Sequence, residues 1–186
     1  FGEELAGPTL ELEVVGVGRL PDDVADDENS LMLASAAFQA SVVGQAGQFL
    51  AAVMEMVGIP SAQAYMTNLV KCYPGKKRGG GGDAEPPPYA IEACSNWFKE
   101  EYDRIQPACI VAVGAVAMRY FGIPGGVNLN AGRLFHTPQW GPVLVIRHPA
   151  GIMRRPAEAP AFITQFHAIH TTLAGPLTPP PFEEVS

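Results

Sequence analysis

Cysteine is scarce in this chain, which has three cysteines among its 186 residues. An odd number of cysteines in a chain of this length argues against a disulfide scaffold and favours reduced thiols or metal ligands. The chain also lacks a run of about 18 apolar residues, which a membrane-spanning helix needs, and a basic segment followed by an apolar one at its start. Mean hydropathy is +0.10. We therefore expect no membrane span and a cytoplasmic location.

Basic residues are outnumbered, with 12 lysines and arginines against 19 acidic residues and a net charge of −7. This balance ordinarily counts against a nucleic-acid partner, because lysine and arginine bind the phosphates. The acids are concentrated in residues 1–60, which hold ten acids and one base, whereas residues 61–186 hold nine acids and eleven bases. Two basic clusters favour either a basic face or, equally, two solvated loops: Lys71, Lys76, Lys77 and Arg78, and Arg147, Arg154 and Arg155.

Short apolar runs rich in valine and isoleucine alternate with segments of helical spacing. The predicted strands are Leu10–Gly16, Tyr65–Val70, Cys109–Gly114 and Val143–Ile146. The predicted helices are Gln45–Val57, Tyr89–Ile105 and Ala115–Phe121. This alternation predicts an α/β fold whose parallel sheet is covered on both faces, with ligands at the carboxyl ends of the strands.

The chain length fits one globular domain. We expect this domain to span residues 1–174, with an acidic insertion at 20–40 and a glycine- and proline-rich loop at 75–88, followed by a proline-rich tail at 175–186. Clusters of glycine and proline of this kind are typical of loops.

Two glycine-rich segments are candidates for a phosphate site. Gly16-Val17-Gly18 follows the first predicted strand and precedes Asp22 and Asp23, and Gly44-Gln45-Ala46-Gly47 opens the first predicted helix. Backbone N–H groups at such turns bind anions, although a tight turn without a ligand explains the same pattern. Neither segment has the Gly-Lys-Ser/Thr sequence of a P-loop or the third glycine of a dinucleotide site.

Polar side chains occur at the ends of two predicted strands. The amide of Asn68 offers both a donor and an acceptor, which recognition of a pyrimidine edge requires. His148 can stabilise negative charge on a leaving group, and Ile152 or Met153 can wedge into a base stack. Each polar residue also has an ordinary structural explanation, since asparagine caps turns and histidine at a strand end is often structural.

The order of these segments along the chain is more specific than any one of them. Together they resemble the uracil-DNA glycosylase superfamily, closest to its iron–sulfur family 4 branch, over residues 1–156. The resemblance implies a three-layer α/β/α sandwich around a four-stranded parallel sheet, with an extrahelical base held at the strand ends. The matching segments are Phe1-Gly2-Glu3, Val15-Gly16, Val43–Gly47, Thr67–Cys72, Cys94, Ile110–Gly114 with Ala117, and His148-Pro149-Ala150.

The resemblance also implies roles for individual residues. Asn68 would recognise the base, His148 would stabilise the departing base anion, and the loop from His148 to Arg155 would enter the duplex. The implied base pocket comprises Gly16, Val17, Phe38, Val42 and Asn68. The implied DNA contacts are Gly44, Gln45, Ala46, Lys71, Arg147, Pro149, Ala150, Ile152, Met153 and Arg154.

Two positions depart from the family pattern. Val17 stands where the family has a water-activating acid, so either Asp22 or Asp23 substitutes for it or the reaction relies on leaving-group stabilisation. Val42 stands where the family has an aromatic residue that stacks on the base, and Phe38 is the nearest replacement. These changes predict an altered pocket chemistry.

Cys72 and Cys94 match two of the four cysteine ligands of the family's 4Fe–4S cluster. Because the chain begins at Phe1 rather than at Met, we expect further residues upstream, where the other two ligands would lie. Two thiolates alone cannot hold a four-iron cluster, so either that segment was lost or the site has decayed. Cys109 lies in an apolar strand and is expected to be a core residue.

The sequence leaves two classes of function open. The first is a DNA glycosylase that flips out and excises uracil or another modified base, with DNA as its partner. The second is a glycosylase-like protein that binds DNA or acts in replication without catalysis, which Val17, Val42 and the acidic insertion favour. A glycosylase retuned to an unusual base is a further hypothesis, which the sequence does not separate from the first.

Overall fold

The computed structural model of the protein describes residues 31–35, 45–59, 64–79, 83–174 and 183–184. The strands are β1 (Leu31–Ser35), β2 (Ala64–Asn68), β3 (Cys109–Val113), β4 (Leu134–Thr137), β5 (Gly141–Ile146) and β6 (Glu183–Glu184). The helices are α1 (Gln45–Met56), α2 (Pro88–Ile105), α3 (Ala115–Tyr120), α4 (Val127–Asn130), α5 (Pro149–Met153) and α6 (Ala159–Ala174), with a 3-10 turn at Pro156–Glu158. No helix within these ranges is long and apolar enough to cross a membrane.

The sheet has six strands in the order β2-β1-β3-β5-β4-β6. The first four strands in this order run parallel to one another, whereas β4 runs antiparallel to β5, and β6 runs parallel to β4. Ser35 lies opposite both Asn68 and Val113, and Val113 lies opposite Ile146. The carboxyl ends of the four parallel strands therefore form one edge of the sheet.

The α/β class predicted from the alternating strands and helices is confirmed. The three predicted helices begin and end within one residue of their expected positions. Strand β2 ends at Asn68, two residues before the predicted end at Val70. The sheet is mixed and six-stranded, not the expected four-stranded parallel sheet, because β4 and β6 extend it beyond β5.

Strand β1 is absent from the sequence-based prediction. It lies between β2 and β3, inside the range of about 20–40 that the sequence predicts to be an acidic insertion, and these five residues are part of the sheet. Five residues that end in alanine and serine are too few for a periodic pattern to stand out, and pairing along both edges makes this segment a strand. The predicted strand Leu10–Gly16 lies outside the described residues.

Apolar residues pack on both faces of the sheet, because successive strand residues point to opposite faces. Every residue of β3 is buried, with Val111 and Val113 in one cluster and Ile110 and Ala112 in the other. Each buried Leu or Phe contributes about 1.5–3 kcal/mol, so helices on both faces hold the sheet in place. The first cluster includes Leu50, Val53, Ile152, Phe162 and Phe166, and the second includes Phe98, Ile105, Met118 and Trp140.

Helix α2 brings an acidic residue beside β2. The helix begins at Pro88, where proline fits because the N–H of the first turn has no helical partner. It ends before Gln106, whose φ of 47° is left-handed and whose N–H donates to the carbonyl oxygen of Tyr102 at 2.8 Å. Glu101 in this helix pairs with Lys71, while Trp97 is 62% exposed.

Candidate active site

The carboxyl ends of β2, β1, β3 and β5 lie where ligands bind in parallel α/β sheets. Asn68 ends β2, and Ile146 ends β5 two residues before His148. Neighbouring strands are about 4.8 Å apart, so three spacings separate the ends of β2 and β5 by roughly 14 Å. The structure thus brings Asn68 and His148, both predicted site residues, to the two sides of one sheet edge.

Asn68 is the last residue of an edge strand and is 7% exposed. Strand alternation puts it on the same face as Ala64 and Met66, which pack in the first apolar cluster. Its amide oxygen Oδ1 is buried and accepts no hydrogen bond from the described residues, while the residue makes another interaction within the structure. A buried amide in such a position is suited to orient a ligand by hydrogen bonds.

Lys71 lies three residues after Asn68, and its ammonium forms an ion pair within the protein. Its Nζ is 2.7 Å from both carboxylate oxygens of Glu101 and donates to Oγ1 of Thr67 at 2.6 Å. The Lys71 and Glu101 side chains are 30% and 21% exposed. A carboxylate from α2 thus pairs with this ammonium in the structure, and the contact of Lys71 with a DNA phosphate stays a prediction.

His148 caps the first turn of α5. Its Nδ1 accepts a hydrogen bond from the backbone N–H of Ala150 at 3.2 Å, so the proton of the neutral ring is assigned to Nε2. Burial and, after it, the positive charge of Arg154 lower the pKa of His148 from its ordinary 6.5. The ring is therefore neutral at about pH 7 and offers an N–H donor at Nε2.

Gly114 leaves the space that the His148 ring occupies. Its φ of +88° and ψ of 177° lie in a region that essentially only glycine adopts, and its N–H donates to the carbonyl oxygen of Ile146 at 2.8 Å. A Cβ on this residue would lie 3.2 Å from Cβ and 3.5 Å from Cδ2 of His148. Gly114 is absent from the predicted site residues, although a glycine directly after a buried strand is a signal for close backbone approach.

A cleft of about 340 Å³ lies beside His148. Glu158 in this cleft pairs with Arg147, and with Arg155 at 3.5 Å, whereas no described carboxylate pairs with the exposed Arg154. Three cations against one carboxylate give the cleft an excess of positive charge, which an anionic ligand would complement. The lining includes Gly114, Asn128, Arg147, His148, Arg154, Arg155 and Glu158.

The segment after His148 is only partly exposed. Ile152 is 2% exposed and packs in the first apolar cluster, and its entry into a base stack stays a prediction. Met153 is 37% exposed and remains the apolar tip, while Pro149 is buried and Ala150 half-buried. Leu129 on α4, which the sequence did not single out, is 78% exposed next to the cleft residue Asn128.

The other predicted site residues divide into two groups. Gln45 is exposed and Ala46 half-buried in the first turn of α1. The remaining predicted site residues lie outside the described part of the chain: Gly16, Val17, Asp22, Asp23, Phe38, Val42 and Gly44. Since β1 is Leu31–Ser35, the residues that follow this central strand in sequence are Ala36, Ala37 and Phe38, which include no acid.

The two predicted cluster ligands do not make a complete metal site. Cys72 is exposed and Cys94 is half-buried on α2. Within the described ranges, no group of three or more histidine, cysteine or acidic side chains could hold a metal ion. Two thiols do not fit a four-iron cluster, which takes four cysteines. Cys109 is buried in β3 as expected, and burial raises the pKa of its thiol to about 12.

Comparison with known proteins adds the family. Residues 6–169 match the model of the uracil DNA glycosylase superfamily. A type-4 uracil-DNA glycosylase of Archaeoglobus fulgidus is 27% identical over 135 residues, or 68% of this chain and 65% of that protein. A type-4 uracil-DNA glycosylase of Thermotoga maritima is 34% identical over 112 residues, or 60% of this chain and 50% of that protein. This chain thus spans less than two thirds of either relative. Because the family model covers most of the sequence, the chain belongs to the uracil DNA glycosylase superfamily, with type-4 enzymes among its relatives.

Proposed function

We propose that this protein is a DNA glycosylase that flips uracil or another modified base out of DNA and hydrolyses its N-glycosidic bond. The observation that carries the proposal is the placement of Asn68 and His148 at the two sides of one carboxyl edge of the sheet. Family membership and the names of the type-4 relatives support it.

His148 would stabilise the leaving group. When the bond from C1′ of the sugar to the base nitrogen breaks, its electron pair stays with the base, and a uracil anion places much of that charge on its O2 oxygen. The Nε2–H donor of a neutral His148 can bind this oxygen, while Nδ1 is held by Ala150. Loss of one well-placed donor to a developing anion slows a reaction by about 10²–10³.

Asn68 would select and orient the base. An amide offers an N–H donor and a carbonyl acceptor, which complement a carbonyl oxygen and the neighbouring N–H on the edge of uracil. Burial of the amide at 7% exposure strengthens these hydrogen bonds and penalises a base that leaves them unmade.

Water completes the reaction by adding to C1′ and releasing a proton, which leaves an abasic sugar. Asp22 and Asp23 are candidates for accepting this proton and lie outside the described residues. The carboxylate described beside His148 belongs to Glu158, which is engaged with two arginines. We therefore assign the larger share of the rate to leaving-group stabilisation by His148.

The basic cleft would hold the DNA backbone beside the flipped nucleotide. Arg154 is exposed and Arg147 lines the same cleft, so both can approach phosphates. Further contacts are proposed at the start of α1 and in the segment after His148, with Met153 as the apolar wedge. These contacts comprise Gln45, Ala46, Pro149, Ala150 and Met153.

Three further features are proposed with this function. A three-layer α/β/α sandwich around the four parallel strands is supported by the apolar clusters on both faces. A bound 4Fe–4S cluster would need ligands besides Cys72 and Cys94, so no step of the reaction depends on it. Action on DNA also favours a cytoplasmic, DNA-associated protein.

A base-release assay tests the activity. Oligonucleotides containing uracil, hypoxanthine, xanthine or 5-hydroxymethyluracil are incubated with the protein and cleaved with alkali at abasic sites. We expect release of at least one base, reduced about 10² or more by His148→Ala and by Asn68→Ala. Arg119→Gln is the control, because Arg119 is exposed and pairs with Glu85 on the surface. Equal release by both site variants and the wild type would refute the assignment.

A non-catalytic DNA-binding protein is the second candidate. It is favoured by the absence of an acid directly after β1 in sequence and by the engagement of Glu158 with arginines. This candidate predicts salt-sensitive DNA binding without release of any tested base. Turnover on one base excludes it.

A further inference from the structure

Three side chains form a closed cluster, one from β2 directly before Asn68 in sequence, one from the turn that follows β2 and one from α2. The hydroxyl of Thr67 donates to Oε2 of Glu101 at 2.6 Å. The ammonium of Lys71 donates to both oxygens of Glu101 at 2.7 Å and to Oγ1 of Thr67 at 2.6 Å. We name Thr67, Lys71 and Glu101 the anchor cluster. Charge-assisted hydrogen bonds of this length are the stronger kind.

Two members of the anchor cluster lie on either side of Asn68 in the sequence. Thr67 comes directly before Asn68 and Lys71 three residues after it, so both flanks of the asparagine are tied to one carboxylate of α2. Strand β2 lies at the end of the strand order, so its backbone pairs with β1 alone among the described strands. Glu101 therefore adds a second attachment to a strand that the sheet holds along one edge.

Partial burial keeps the anchor cluster together. Thr67 is 5% exposed, and the Lys71 and Glu101 side chains are 30% and 21% exposed. Tyr65 lies on the same face of β2 as Thr67 and forms a hydrogen bond with the Glu101 carboxylate. Burial, the charge of Glu101 and this hydrogen bond raise the pKa of Tyr65. Glu101 thus serves donors from β2 and from the turn that follows β2.

We propose that Glu101 is a positioning residue for Asn68, and that Lys71 serves the anchor cluster and not a DNA phosphate. Glu101 holds Thr67 and Lys71 in place, which fixes the backbone of Asn68 and the direction of its amide at the sheet edge. This inference rests on the proposed function for its effect on catalysis, whereas the statement about Lys71 concerns DNA binding and is tested separately.

The test is a double-mutant cycle with Glu101→Gln, Lys71→Gln and the double variant. Single-turnover base release is expected to fall about 10- to 100-fold in each single variant, since small displacements of a positioning group have effects of this size. The double variant is expected to fall no further than the single ones, because both changes break one cluster. The ratio of rates on the best base and its nearest competitor falls as well, since Asn68 no longer holds its orientation.

DNA affinity distinguishes a phosphate contact from an anchor. A lysine that binds a phosphate contributes about one unit to the slope of log affinity against log salt. We expect Lys71→Gln to leave this slope unchanged. A slope lowered by about one unit in Lys71→Gln but not in Glu101→Gln would overturn the proposal, as would base selectivity that stays at the wild-type value in both variants.

Matched controls separate positioning from charge and from folding. Lys99→Gln and Asp103→Asn change the same charges at an exposed pair on the same helix and are expected to keep the wild-type rate and selectivity.

The exchange Lys71→Glu with Glu101→Lys restores an ion pair and is expected to regain part of the rate that the single variants lose. If the exchange variant folds but does not regain any of the base-release rate, the proposal is contradicted. If the wild type releases no base, the proposed function fails, and the salt slope still decides the role of Lys71.

Discussion

Gly114→Ala tests how closely the backbone after β3 approaches His148. A methyl group at this position meets Cβ of His148 at 3.2 Å and Cδ2 at 3.5 Å, so the ring must move by a few tenths of an ångström. The backbone must also keep a φ of +88° and a ψ of 177°, which costs a residue with a side chain about 1–3 kcal/mol. A loss of about 2 kcal/mol lowers Tm by roughly 4–8 °C in a chain of this length.

The control for this substitution is Gly122→Ala. Gly122 also has a positive φ, +75°, but nothing lies within 4 Å of its added Cβ. Both variants are expected to lose stability in thermal unfolding, whereas only Gly114→Ala is expected to slow single-turnover base release, by about 10². Equal release rates for the two variants would refute the argument that Gly114 makes room for a correctly placed His148.

Three further predictions follow from the same structure. Protonation of Nδ1 would break the hydrogen bond from Ala150 that orients the His148 ring in the proposed reaction. Because the pKa of His148 is lowered, base release is expected to stay constant as the pH falls through 6.5 and to decline only at more acidic pH, as a rate–pH profile would show. Arg154→Gln removes one cause of the lowered pKa, so the acid limb of that profile is expected to move to higher pH, and an unmoved limb would contradict this cause. Phe162→Ala removes a fully buried side chain from the first apolar cluster. We expect it to lower the free energy of unfolding, measured with denaturant, by about 3–5 kcal/mol. The control Arg119→Gln breaks an exposed ion pair and is expected to lower that free energy by less than about 1 kcal/mol.

Helices α1, α2 and α3 and strands β2, β3 and β5 could be predicted because their signals are local. Cys109–Val113 is a continuous apolar run, and α2 has a proline at its start and apolar residues at helical spacing. Strand β1 gives no such signal, since it is five residues long and its strand character depends on pairing with β2 and β3. Strand β4 depends in the same way on its antiparallel partner β5.

The candidate site was predictable where one residue type at a strand end points to its chemistry. Asn68 and His148 are of this kind, and the sheet register explains why both reach the same edge. The partners of Lys71 and Ile152 were not predictable. Lys71 meets a carboxylate 30 residues away in sequence, and Ile152 is buried by helices on either side of it in the chain. Contacts of this kind arise from packing and leave no local pattern.

The aromatic packing around Trp140 makes the intrinsic fluorescence of this tryptophan a probe of the fold. Trp140 is 7% exposed and lies within 5.3 Å of Phe98 and 5.0 Å of Tyr102, measured between ring centroids. The chain has two tryptophans, and the other, Trp97, is 62% exposed on the neighbouring surface of α2. A dissolved quencher should therefore extinguish the fluorescence of Trp97 and spare that of Trp140. The remaining emission then comes from Trp140 and reports on the packing of α2 against the sheet, so that no dye needs to be attached.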